Sequence, residues 1–267
     1  MQEAQALEAA RLAGSTRVLK IADRAWRIHN AAPAEGIAPF CEENRIDFAF
    51  VPEGRRFESL KLLAMDMDST LITIECIDEL GDFAGRKSEV AAITAQAMRG
   101  ELDYPQSLRK RVAVLEGLDE SVLERVYAER LRLTPGAEAL VAKCKTHGVK
   151  LLLVSGGFSF FTERLRERLG LDYTISNRLE VAAGKLTGKV LGEVVDAEAK
   201  ARRFAEVMRE LAADRGQSVA LGDGANDLKM MAQAGYSVAF RAKPVVRAQA
   251  SCAITWCGLD AVINLFE

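Results

Sequence analysis

The chain has 267 residues, 49% hydrophobic and 28% charged, which gives room for one large domain or two ordinary ones and excludes fibrous and disordered classes. Thirty-six Lys+Arg against 38 Asp+Glu leave a net charge of -2, so no global basic field draws the protein onto nucleic acid or anionic lipid. Only two histidines, His29 and His147, are present, so enzymatic chemistry would fall to carboxylates or cysteines.

In chain order, the first residues carry Glu3 and Glu8 where a secretory signal would be basic. No apolar run approaches the ~20 residues of a membrane span, so the expectation is a cytoplasmic protein without membrane contact. Residues 1–57 read as a small α+β appendage of unassigned role. Val18 to Ile21, a helix near Ile37 to Asn44, and Asp47 to Val51 suggest a βαβ-like unit before Pro52-Glu53-Gly54. Leu60 to Met67 is a strand-like run ending in Asp68-Ser69-Thr70. Residues 77–133 have no strand-like run: Ser88 to Met98, Tyr104 to Leu115 and Ser121 to Leu131 show helical apolar spacing, punctuated by glycines. Pro135-Gly136 opens a helix over Ala137 to His147. Val149 to Val154 is a second strand, ending in Ser155-Gly156-Gly157 and followed by a helix over Phe158 to Leu169. Leu179 to Val190 suggests a β-hairpin beside the main sheet, turning at Ala183-Gly184. A helix over Ala197 to Asp214 precedes the strand Ser218 to Leu221, which ends in Gly222-Asp223-Gly224-Ala225-Asn226-Asp227. Short apolar strands alternating with helices predict an α/β fold with a parallel sheet. Five cysteines (Cys41, Cys76, Cys144, Cys252 and Cys257) without a CxxC pair read as reduced packing residues.

All three polar clusters lie at strand carboxyl ends, where an open parallel sheet binds ligands, so they can converge on one site. Each alone reads better as a strand-to-helix turn; three in order, with repeated acidic residues, favour a site. Asp66 and Asp68 stand two apart, and two carboxylates this close require a cation or a shared proton. Asp223 and Asp227 add hard oxygen ligands suited to Mg2+ rather than zinc, and Mg2+ commonly bridges carboxylates to phosphoryl oxygens. Ser155 with the Gly156 and Gly157 amides makes an anion cradle, to which Lys200 can add a charge. The absence of GxxxxGK[ST] leaves a P-loop unsupported, and Ser155 has no GxSxG frame.

The segment Asp66-Met67-Asp68-Ser69-Thr70 resembles the DxDx[TV] motif of haloacid dehalogenase-like phosphatases, and Ser155-Gly156-Gly157 resembles their second motif. Lys200 falls where the third is expected, and Gly222 to Asp227 resembles the fourth. ECIDEL at Glu75 to Leu80 and the run from Ala97 to Val112 narrow the resemblance to the phosphoserine phosphatases of that superfamily. It covers residues from about 58 to the C-terminus. The resemblance implies a Rossmann-like core (58–76 and 134–267) with an inserted helical cap (77–133), and an Mg2+-dependent hydrolysis of phosphoserine at the last step of serine biosynthesis. It makes Asp66 the nucleophile and Asp68 the acid/base. Asp66, the Asp68 carbonyl, Asp223 and Asp227 would hold the metal. Ser155, Gly156, Gly157 and Lys200 would hold the phosphoryl group, with Asn226 positioning groups nearby. Glu75 would take the substrate ammonium and Arg111 its carboxylate, with Met98 and Tyr104 walling the pocket. The family commonly has Phe where Tyr104 stands. A phosphotransferase, a phosphatase for another small phosphomonoester, and an inactive binding module are the alternatives; monomer and homodimer stay open.

Overall fold

The computed structural model describes all 267 residues. It begins with α1 (Glu3–Leu12), β1 (Val18–Ala22), β2 (Ala25–Ile28) and α2 (Ile37–Glu43). The two strands pair antiparallel as a hairpin, so the appendage is α-β-β-α and not βαβ-like. Asp47 to Val51, read as a strand, forms none. The alternation that suggests one is real: Ala49 and Val51 pack on the main core, while Phe48 and Phe50 are exposed. The segment has no strand beside it. Instead the Asp47 carboxylate accepts the amides of Thr255, Trp256 and Cys257 at 2.7, 2.9 and 2.8 Å. Arg27 donates to the carbonyls of Asn264 and Phe266 at 3.0 and 2.8 Å, so the appendage is fastened to the C-terminal end of the chain.

The main body continues with β3 (Leu62–Asp66), α3 (Cys76–Phe83), α4 (Lys87–Met98), α5 (Tyr104–Ala113) and α6 (Ser121–Arg125), the last prolonged by a wider turn over Val126–Arg130. Next come α7 (Ala137–Thr146), β4 (Lys150–Phe158), α8 (Ser159–Leu169), β5 (Tyr173–Ala182), β6 (Lys185–Leu191) and α9 (Ala197–Glu210). The chain closes with β7 (Ser218–Gly222), α10 (Leu228–Met231), β8 (Tyr236–Phe240), α11 (Pro244–Arg247) and β9 (Cys252–Ile254). One seven-stranded sheet runs β6-β5-β4-β3-β7-β8-β9, parallel except for the edge strand β6.

Both faces of β3 are covered. Leu63 and Met65 join the core with Leu140 of α7 and Phe161 of α8, while Leu62 and Ala64 pack with Phe204 and Val207 of α9 and with Met230 and Met231 of α10. Double-sided burial is why the strand reads as an unbroken apolar run. The chain leaves β3 for β4 and β5 on one side and returns to β7 on the other. Strand order therefore reverses at β3, and a crevice opens at its carboxyl end between β4 and β7.

The helices α3 to α6 are inserted between β3 and α7. Their two connections are tied together at the base: Ile72 bridges Leu133, Thr73 donates to Arg132 O at 3.0 Å and Thr134 to Leu71 O at 2.9 Å. The hairpin ties the other side. Gly117 and Glu120 donate to Leu186 O and Gly184 O, and Leu186 donates to Leu118 O, each at 2.9 Å. Its turn has Ala183 and Gly184 at φ 50° and 73°, the paired positive values of a type I′ turn. The hairpin does not sit beside the sheet; β5 pairs parallel with β4, so β5 and β6 form the sheet's own edge.

The α9 helix stops at Glu210, short of Asp214. Ala213 donates to Met208 O and Ala212 to Arg209 O, closing a Schellman motif with Ala212 at φ 44°. With alanine where glycine is usual, the sequence carries no stop signal. All five cysteines are free; four are buried and Cys257 is exposed, so the packing reading fails for that one.

Candidate active site

Asp66 is the last residue of β3, and the chain then makes a tight loop with Ser69 at φ 56°, a left-handed conformation rare for a residue with a side chain. This turn carries Asp68 back toward the crevice. The Asp68 Oδ1 atom accepts the Cys76 amide at 3.3 Å, at the start of α3. Ser69 donates its hydroxyl to Glu75 Oε1 at 2.7 Å, which holds that carboxylate over the same loop.

Opposite Asp66 stands Lys200, from the buried stripe of α9 that also carries Phe204 and Val207. Its side chain is only 1% exposed, and Nζ meets Asp66 Oδ1 at 2.5 Å and Asp227 Oδ1 at 2.8 Å. A buried ammonium between two carboxylates is tolerable because the pair meets its charge. Burial works against the charged lysine, but Asp227 and Asp66 outweigh it and raise its pKa. Lys200 is therefore a fixed cation.

The carboxylates carry the opposite burden. Burial first, then Asp227, pushes Asp66 well above the usual range, although Lys200 opposes both. Asp68 is pushed up to about 7 by burial and then by Glu75. Asp223 reaches about 6 through burial, Asp227 and Glu75. One lysine does not neutralise this concentration of acid, and the site favours a further cation or protons.

The loop after β7 supplies the geometry for one. Oxygens of Asp66, Asp223 and Asp227 all lie within 4.8 Å of one another. Asp227 uses Oδ1 on Lys200 and accepts the Gly224 amide on Oδ2 at 3.1 Å, so it anchors the lysine and the loop. Asp223 makes no side-chain hydrogen bond and, beside the lysine-bound Asp66, is free to serve a hard cation through oxygen. A Cβ at Gly222 would collide with the Asp227 carboxylate, which is why glycine precedes this acidic loop. Asn226 lies half-buried on the same loop.

Within β4, where its pairing with β5 turns irregular after Val154, Ser155 is fully buried and its Oγ accepts the Gly157 amide at 2.8 Å. A Cβ at Gly157 would approach Asp68 Oδ2 to 2.9 Å, so the second and first clusters are in contact. From the inserted helices, the Tyr104 hydroxyl donates to Gly156 O at 3.1 Å and lies directly over that glycine. Burial pushes the Tyr104 phenol up to about 12, keeping it a donor. Arg111 is half-buried, whereas Arg109 and Lys110 on the same helix are exposed. Its Nε donates to Ser107 O at 3.4 Å and it forms no ion pair. Met98 stands 75% exposed at the end of α4, so the wall over Gly156 comes from Tyr104.

The structure also brings in Asn177, which the sequence reading missed. It is 1% exposed on β5; Nδ2 donates to Gly156 O at 2.8 Å and Oδ1 accepts the Val195 amide at 2.8 Å. A polar residue inside a strand is the signal, but that part of β5 is not apolar enough to be read as one.

Several known proteins resemble this chain in sequence and in fold. The family model for haloacid dehalogenase-like hydrolases matches residues 63–232. A phosphoserine phosphatase of Polaromonas sp. is 54% identical over 217 residues, 79% of this chain and 92% of that protein. Among solved structures, an unliganded probable phosphoserine phosphatase of Vibrio cholerae has a TM-score of 0.83 at 37% identity, covering 99% of this chain and 83% of that one. A substrate-bound phosphoserine phosphatase complex has a TM-score of 0.73 at 39% identity, covering 78% of this chain and 99% of that one.

Proposed function

This chain belongs to the haloacid dehalogenase-like hydrolases and, among them, to the phosphoserine phosphatases; from that premise we propose that it hydrolyses O-phospho-L-serine to L-serine and phosphate through an aspartyl-phosphate on Asp66. The observation that carries the reading is the buried Asp66–Lys200–Asp227 array at the sheet's switch point, with Asp68 and the Ser155–Gly157 cradle against it.

Lys200 engages Oδ1 of Asp66 and so fixes the rotation of its carboxylate, which leaves Oδ2 as the oxygen that attacks phosphorus in line. Asp68, with a pKa raised to about 7, holds a proton that it gives to the departing seryl oxygen. Its carboxylate then takes a proton from the water that opens the acyl phosphate. Ser155 and the Gly156 amide donate to the phosphoryl oxygens, and Lys200 offsets the charge that gathers on them. Asn226 orients groups from the β7 side. Asp66 and Asp223, with Asp227 behind them and the Asp68 carbonyl, form an all-oxygen donor set that fits Mg2+, which when bound lets a carboxylate approach a phosphate dianion.

Selectivity belongs to the inserted helices. Glu75, held by Ser69, takes the ammonium, and the unpaired Arg111 takes the carboxylate as a bidentate partner. No helix is long and apolar enough to cross a membrane, and the free thiols support a cytoplasmic setting. Asp66→Asn is expected to abolish phosphate release from phosphoserine in the presence of Mg2+. Near-normal turnover by that variant would refute the mechanism.

A further inference from the structure

The peptide group joining Gly156 to Gly157 is contacted on both sides. Its carbonyl accepts two hydrogen bonds, from Asn177 Nδ2 at 2.8 Å and from the Tyr104 hydroxyl at 3.1 Å. Its N–H donates to Ser155 Oγ at 2.8 Å. With that oxygen accepting from Gly157, and the Ser155 hydroxyl donating to no protein group, its hydrogen is left for the crevice. Donors on a carbonyl polarise the peptide and strengthen the N–H on its other end, so the three contacts form one chain.

The two donors differ in origin. Asn177 is on β5, and its amide is held in place because Oδ1 accepts the Val195 N–H at 2.8 Å. Its contact is a permanent part of the sheet. Tyr104 is the first residue of α5, in the inserted helices, so its contact exists only while those helices lie on the core. Glycine at 156 is what allows the approach, since a Cβ there would collide with the Tyr104 hydroxyl. A wall for the pocket needs only the aromatic ring; the hydroxyl is extra to that task, and a carbonyl already served by Asn177 does not need a second donor for stability.

We propose that Asn177 and the Tyr104 hydroxyl are positioning residues which, through the Gly156–Gly157 peptide, aim the Ser155 hydroxyl at the phosphoryl group, and that Tyr104 makes this aim depend on closure of the inserted helices. The inference rests on the reading of Ser155 as a phosphoryl donor. It separates Tyr104 from the substrate-selective residues, because an effect relayed through Ser155 reaches the phosphate, which every phosphomonoester shares.

The test uses the full chain with Mg2+, measuring kcat/KM for phosphoserine and for p-nitrophenyl phosphate, and inhibition by inorganic phosphate. Tyr104→Phe is expected to weaken all three by a similar factor, about 3- to 10-fold, the size of one neutral hydrogen bond. In a Ser155→Ala background the same substitution is expected to change inorganic phosphate inhibition less than about twofold, because coupled residues are not additive. Asn177→Asp keeps an acceptor for Val195 but sets a carboxylate against the Gly156 carbonyl. It should show the same dependence on Ser155, with a thermal melt confirming that the variant is folded. A Tyr104→Phe loss confined to phosphoserine, or one undiminished in the Ser155→Ala background, overturns the relay. If Ser155→Ala alone leaves phosphate inhibition unchanged, the assignment of Ser155 falls first and the relay with it.

Discussion

Arg111 and its neighbours show how a single side chain can be distinguished from a charged surface. Arg109, Lys110 and Arg111 are consecutive on α5, and only Arg111 turns inward, without a carboxylate to neutralise it. A half-buried guanidinium without an anionic partner suits the proposed role of receiving the substrate carboxylate, a group of matching shape. Arg111→Ala is therefore expected to cut kcat/KM for phosphoserine about 10- to 100-fold, the range of a charge-assisted hydrogen-bond pair. The aryl phosphate, which has no carboxylate, should lose little. Equal losses on both substrates would remove Arg111 from its selective role. Lys200 is a case where the sequence holds a legible signal: it falls on the same helical stripe as Phe204 and Val207, an apolar face where lysine is out of place. Asn177 and the Tyr104 contact with Gly156 were not legible, because they depend on which strand and which helix the fold sets side by side.

At the scale of elements, burial decides what can be read. The strands β3, β4 and β7 are covered on both faces and appear as apolar runs, so the strands and the polar clusters that follow the runs are legible, although β4 continues through its cluster to Phe158. The later strands β8 and β9 are harder to read: β8 is as short and as buried as β3 and β7 but ends in no acidic or glycine-rich cluster that would mark it, and β9 is only three residues long. The appendage shows the converse error. Residues 47–51 alternate in burial like a strand, yet no other strand lies alongside, and Asp47 instead receives three amides of the chain after β9. Periodicity reports which side chains are buried, not which backbone is paired. That clasp makes its own prediction. Asp47→Ala leaves three amides without their carboxylate and is expected to destabilise the protein by about 1–3 kcal/mol, read as a lower melting temperature. The KM for phosphoserine should be unchanged, since β9 lies three strands from β3. An unaltered melt would mean that solvent serves those amides equally well.

Across the whole molecule, a net charge of -2 conceals a concentration of acid at one point. Asp66, Asp68, Asp223, Asp227 and Glu75 surround one buried lysine, and Asp68 and Asp223 are raised to about 7 and about 6. In the unfolded chain Asp68 and Asp223 return to an ordinary aspartate pKa of about 3.9. Between about pH 4 and 7 the native protein therefore binds more protons than the unfolded one, so without metal its stability from these groups falls as pH rises through that window. A divalent cation held by Asp66 and Asp223 would reverse this, because it takes ionised carboxylates that protons would otherwise occupy, and only in the folded state, whereas Asp68 would offer it only a carbonyl. The melting temperature gained on adding Mg2+ to chelator-treated protein should thus be larger at pH 7.5 than at pH 5. The difference should exceed about 3 °C, roughly what 1 kcal/mol is worth in a chain of this size. Equal gains at the two pH values would show that the carboxylates raised by burial are not those that hold the metal.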